Sequence, residues 1–184
     1  MLKKIKHLSL AIPLLASAVS VQAKPLSLER IFDDPSLSGK SPVQLKFSPD
    51  GNRVTYLQGK SDDYNRYDLW EYNLKDNTNR MLVDSAKLFS GPENLSDEEK
   101  ARRERQRIFG QGILEYKWSK DGKALLFPLN GDLYYYELAA NKSKKLTNTE
   151  AFETDARFSP KGNFVSFIRE QNLYALALDS GKEI

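Results

Sequence analysis

Three stretches of the chain carry the same alternation of apolar and polar positions behind the same turn. Phe47-Ser48-Pro49-Asp50-Gly51 leads into Arg53-Val54-Thr55-Tyr56-Leu57. Trp118-Ser119-Lys120-Asp121-Gly122 leads into Lys123-Ala124-Leu125-Leu126-Phe127, and Phe158-Ser159-Pro160-Lys161-Gly162 into Asn163-Phe164-Val165-Ser166-Phe167. The glycine accepts the positive φ of a tight turn, and the alternation gives the following strand one buried face, so each stretch predicts a β-hairpin. A further apolar strand follows each hairpin, at Asp68 to Leu74, Asp132 to Leu138 and Asn172 to Leu178. A polar turn and a short fourth strand come next, most clearly at Asn141 to Leu146. Four strands in this order make one blade.

From Trp118 to Phe158 is 40 residues, the length of a four-stranded propeller blade. From Phe47 to Trp118 is 71, so roughly 30 extra residues interrupt the first repeat. The fold class is therefore all-β: a partial β-propeller of about three blades, with an arm inserted at about residues 85–115. Repeats bury their apolar faces against neighbouring repeats, so Trp70, Tyr72, Trp118, Tyr134, Tyr136, Phe158, Phe164 and Tyr174 are read as packing between blades rather than as ligand-stacking groups. Three blades do not close a ring of about seven or eight. The propeller is accordingly expected to continue past Ile184, with Gly181 to Ile184 opening the fourth strand of the third blade.

The inserted segment has a different pattern. Ser96-Asp97-Glu98-Glu99 has the form of a capping box and predicts a helix start. The helix is expected to run through Ile108 and to stop near Gly110 or Gly112. It has almost no apolar stripe, so it is not a core helix. Glu98 with Arg102, Glu99 with Arg103 and Glu104 with Arg107 stand at pairing distance along it. Spacing leaves two readings open: a solvated, self-paired helix, or an arm that presents a guanidinium to a carbonyl or carboxylate of a ligand.

The N-terminus adds a compartment. Lys3, Lys4 and Lys6 precede an apolar stretch of about 14 residues that ends in Ser20-Val21-Gln22-Ala23, a pattern that predicts a signal peptide over 1–23 with the mature chain at 24–184. A spanning helix needs about 20 apolar residues, so no stable membrane span is expected after cleavage. Loss of those three lysines takes the 28 basic residues to 25, against 25 acidic ones, and a balanced chain lacks the basic face that nucleic acid requires. The single histidine, His7, leaves with the leader, and there is no cysteine. A mature chain without either can supply no Ser-His-Asp triad, no Cys-His pair and no ordinary zinc site, so no catalytic residue, metal or cofactor is assigned to it.

The aromatic-Ser-Pro-Asp-Gly hairpins resemble the propellers of the prolyl oligopeptidase family and those of TolB-like periplasmic propellers. Arg103-Glu104-Arg105-Gln106-Arg107-Ile108-Phe109-Gly110-Gln111-Gly112-Ile113, followed by Tyr116, is similar to the arginine-rich helix of the dipeptidyl peptidase IV branch, closest to the bacterial dipeptidyl aminopeptidases and to the cytosolic eukaryotic members. The resemblance implies the N-terminal propeller part of an exported, periplasmic or secreted serine peptidase that releases N-terminal X-Pro or X-Ala dipeptides. It further implies peptide substrates with a free N-terminus, a C-terminal α/β-hydrolase domain of the same protein carrying the catalytic triad, and room for a homodimer. By the match, the arginine five residues before Gly112-Ile113, Arg107, is the substrate-binding residue, with Arg103 and Arg105 as alternatives. The family's paired amine-binding glutamates find no counterpart after Ile168, and Glu98-Glu99 is accounted for by helix capping. The competing reading is a TolB-like, non-catalytic binding scaffold.

Overall fold

The computed structural model describes residues 25–33, 36–93 and 95–184, in two compact units, Met1–Asp33 and Asp34–Ile184. The leader expected over 1–23 lies outside the described residues. Within the first unit a short helix, α1 (Leu28–Phe32), starts at Ser27, whose hydroxyl accepts from the Arg30 N–H. Leu28, Ile31 and Phe32 are exposed.

The second unit contains three antiparallel blades. The first is β1 (Val43–Phe47), β2 (Arg53–Gly59), β3 (Arg66–Asn73) and β4 (Thr78–Val83), in that spatial order. The inserted arm follows with α2 (Ser85–Leu88), α3 (Asp97–Gln106) and the two-residue β5 (Gln111–Gly112). The second blade is β6 (Lys117–Trp118), β7 (Ala124–Leu129), β8 (Asp132–Glu137) and β9 (Lys142–Lys145). The third is β10 (Glu153–Phe158), β11 (Phe164–Arg169) and β12 (Asn172–Ala177), and an isolated bridge from Leu176 to Glu183 marks the expected onset of a fourth strand. Each predicted hairpin is present, as β1–β2, β6–β7 and β10–β11. In each the serine after the aromatic uses its hydroxyl to accept a backbone N–H across the turn, from Arg53, Ala124 and Phe164 respectively, which is why a serine recurs at that place.

The central blade is buried on both faces, and strand alternation divides its side chains between two cores. Leu125, Phe127 and Leu129 of β7, with Tyr134 and Tyr136 of β8, pack with Leu57 and Leu69 of the first blade. Leu126 and Leu133 turn the other way and pack with Val165, Phe167 and Leu176 of the third. The stacked pairs Phe127–Tyr134 and Phe167–Tyr174, both at 5.7 Å, are cross-strand neighbours of one blade, whereas Tyr135 meets Phe158 edge-on across the second and third blades at 6.2 Å. Packing between blades thus accounts for Trp118, Tyr134, Tyr136, Phe158 and Tyr174. Trp70 and Tyr72 lie on the half-buried face of the first blade turned away from the second, and Phe164 is exposed.

Two features of the arm differ from the expectation. The helix ends at Gln106, and the left-handed residue that closes it is Arg107 (φ 54, ψ 41) rather than a glycine. The N–H groups of Arg107 and Ile108 donate back to Glu104 and Arg103, and these two bonds hold a non-glycine residue in a conformation that costs about 1 kcal/mol. Gly112 instead serves a strand. β4 runs out where Val83 meets Leu69, which leaves the first residues of β3 without a partner on that edge, and β5 fills it in parallel. Gln111 N–H donates to Asn65 at 2.7 Å and Ile113 N–H to Tyr67 at 3.0 Å. Only glycine fits there: φ is +76, and a Cβ would stand 2.6 Å from the Tyr67 carbonyl oxygen.

Candidate functional site

The arm helix begins as its sequence predicts, with the Ser96 hydroxyl accepting the Glu99 N–H at 3.2 Å. The Glu99 side chain does not complete the box. It is buried, 6% exposed, and receives Arg102 through two hydrogen bonds of 2.7 and 2.8 Å and Arg103 through one of 2.8 Å. Glu99 with Arg103 is an anticipated pair; Arg102 turns to Glu99 rather than to Glu98, because Glu99 is the carboxylate on the buried face. Among the described residues Glu104 and Arg107 meet only through backbone.

A groove of about 700 Å³ runs between the arm and the loops of the second and third blades. Arg102 and Arg105 stand on the arm side, with Phe152 and Ile168 at the apolar part of the lining and Glu98, Glu150 and Glu170 around it. Beside it is a cavity of about 40 Å³, enough for one or two waters, bordered by Glu99, Arg102, Arg103 and Asn130. The three arginines singled out from sequence therefore have three different situations. Arg103 is mostly buried, 13% exposed, and committed to ion pairs. Arg105 borders the groove and has no ion pair among the described residues. Arg107 is exposed at the helix end and borders neither cavity. What the sequence reading missed is Glu93: its Oε2 takes Arg103 at 2.6 Å and its Oε1 accepts the Gly112 N–H at 2.9 Å. No local pattern marks it, since its partners are ten and nineteen residues away.

Burial pushes the Glu99 carboxyl upward, but the hydrogen bonds and charges of Arg102 and Arg103 outweigh that and hold it below its ordinary value of 4.5. A carboxyl depressed in the docked arm and ordinary in a released one favours docking fully above the ordinary carboxylate range; that contribution is lost as pH falls below the range and through the depressed value. Amide protection over 97–106 is expected to fall as pH drops below the ordinary carboxylate range, ahead of protection in β7 and β8, measured by hydrogen exchange corrected for intrinsic rates. Loss of protection in all three together would count against a separate arm transition.

Antiparallel blades repeated along the chain, the middle one four-stranded and buried on both faces, define this chain as a partial β-propeller. Two solved structures share that fold: TolB from Acinetobacter baumannii, 19% identical at a TM-score of 0.51 over 78% of this chain, and a structure assigned as TolB from Agrobacterium tumefaciens, 16% identical at 0.51 over 76%. The chain spans 31% and 43% of the length of those two proteins. Residues 119–184, from the turn after β6 through the third blade, match the family described as Dipeptidyl peptidase IV (DPP IV) N-terminal region. This part of the chain, which lies after the arm, is similar to the N-terminal region of dipeptidyl peptidase IV-like proteins, in agreement with the resemblance read from the hairpins.

Proposed function

We propose that this chain is the substrate-recognition part of an exported serine exopeptidase that removes N-terminal X-Pro or X-Ala dipeptides, with 1–23 as its leader, 24–184 as propeller and the triad on a hydrolase domain of the same protein. The observation that carries the reading is the position of the arm: an arginine-rich helix forms one wall of a groove over the blades that match the dipeptidyl peptidase IV N-terminal region. An apolar lining with both signs of charge around it suits a short peptide, whose backbone carbonyls seek guanidinium and whose free amino end seeks carboxylate.

Arg107 is the contact by resemblance, and Arg105 is the uncommitted guanidinium at the groove itself. Arg107→Gly and Arg105→Ala in the full-length protein separate them, read by kcat/KM on an Ala-Pro amide. A lost charged contact is worth about 1.5–3 kcal/mol, a fall of roughly 10- to 150-fold. Arg107→Gly also relieves the left-handed cap, so it is expected to raise thermal stability while lowering kcat/KM. Unchanged kinetics in both variants would remove Arg105 and Arg107 from substrate recognition and leave Arg102 as the arm's guanidinium at the groove. Absence of dipeptide release by the wild-type protein would leave a TolB-like binding scaffold as the reading.

A further inference from the structure

Helix α3 buries only one residue, Glu99, so little apolar contact holds it against the propeller. A chain of alternating charges does. The Gly112 N–H, fixed beside β3, donates to Glu93; Glu93 takes Arg103 at 2.6 Å; Arg103 donates to Glu99 at 2.8 Å; and Glu99 takes Arg102, which borders the groove. Glu93, Arg103 and Glu99 are 5%, 13% and 6% exposed, so the chain is shielded from water and from salt along most of its length. Two carboxylates against two guanidiniums leave it neutral, and each carboxylate has both oxygens engaged.

From this arrangement we infer that Arg103 is a positioning residue, not a ligand contact: held by Glu93, it sets Glu99, and through Glu99 it aims Arg102 along the groove wall. The inference rests on the groove being the peptide site. It assigns Glu93 a role that no local motif announces, and it explains why neighbouring arginines of one helix turn are not equivalent. Arg103 faces the base of the arm, Arg102 the groove, and Arg105 stands free of the relay.

The test uses Glu93→Gln, Arg103→Met and Arg103→Lys in the full-length protein. Glu93→Gln retains an acceptor for Gly112 and removes only the charge, so it does not depend on the arm surviving a large deletion. Hydrogen exchange over 96–107 and steady-state kinetics on an Ala-Pro amide are read on each. Glu93→Gln and Arg103→Met are expected to speed exchange of the arm amides and to raise KM about tenfold, the effect of one lost charge-assisted hydrogen bond, with kcat changed less than twofold. Arg103→Lys, able to keep one of the two ion pairs, is expected to recover part of both. Arm exchange equal to wild type in Glu93→Gln and Arg103→Met overturns the inference. So does a raised KM in Arg103→Met with wild-type arm exchange, since Arg103 would then touch the ligand itself. If wild type releases no dipeptide, the groove reading fails, and the exchange data alone still decide whether Glu93 and Arg103 hold the arm.

Discussion

Phe127→Ala is expected to destabilise the protein by about 3–5 kcal/mol, enough to exhaust the stability of a marginal domain, which holds only about 5–15 kcal/mol in all. Phe127 is fully buried, lies in the middle of β7 and stacks on Tyr134 at 5.7 Å with an interplanar angle of 6°. Its ring fills the seam with Leu57 and Leu69, and none of the surrounding strands can close on the vacancy without breaking ladder hydrogen bonds. The loss therefore contains a cavity contribution as well as a transfer one. Phe109→Ala is the contrasting change. That ring is 82% exposed on the arm, and its removal should shift the unfolding free energy by less than about 0.5 kcal/mol. Urea unfolding of the full-length protein, followed by tryptophan fluorescence, reads both. A loss below about 1 kcal/mol for Phe127→Ala would mean that the two blades do not depend on their shared seam.

The blades were legible because their signals are local. A glycine turn, an alternating run and a second apolar run lie within one 40-residue period, and the strands they predict appear at 124–129, 132–137, 164–169 and 172–177. The division of the middle blade between two cores is legible only afterwards. Ala124 to Leu129 is a continuous apolar run, and nothing in such a run says which alternate residues face which neighbour. β5 was not legible at all: two residues joined in parallel to a strand more than forty positions earlier leave no periodic trace.

The arm shows a sharper divide. Its start at Ser96 follows from one side chain and one N–H three residues on, a contact that sequence spacing encodes directly. Its end did not follow, because glycine is favoured in the left-handed region and two glycines lay just beyond. The chain instead placed Arg107 there, held by two backbone bonds, and used Gly112 where a side chain would strike Tyr67. The arginines were visible as candidates, but their ranking depends on which face of the helix meets the propeller. A helix nearly without apolar residues hides that face, since its buried side is built of ion pairs.

The remaining large effect is expected at Asp68, the third residue of β3; Asp132 and Asn172 open the corresponding strands of the second and third blades. Asp68 is fully buried: one oxygen accepts both the N–H and the hydroxyl of Ser85 at 2.8 Å, and the other takes Lys60 at 2.7 Å. It ties the exit of β4 to the strand beside it, at the place where the arm departs. Asp68→Ala strands two buried donors and half of an ion pair, and breaking a buried pair costs about 3–5 kcal/mol. Lys60 keeps Asp84 at 2.7 Å, which places the expected loss at the lower end, about 3 kcal/mol. Asp68→Asn keeps an acceptor for Ser85 and should lose about 1.5 kcal/mol, since only the charged partner is weakened. Asp132 makes the corresponding bonds, to the Thr149 N–H at 3.1 Å and to Lys145 at 2.7 Å, but Lys145 is 37% exposed, so Asp132→Ala should fall below Asp68→Ala. The expected order of destabilisation by urea midpoint is thus Asp68→Ala, then Asp132→Ala and Asp68→Asn close together. Equal losses for Asp68→Ala and Asp68→Asn would show that the charge on Lys60, rather than the two donors of Ser85, sets the stability of that corner.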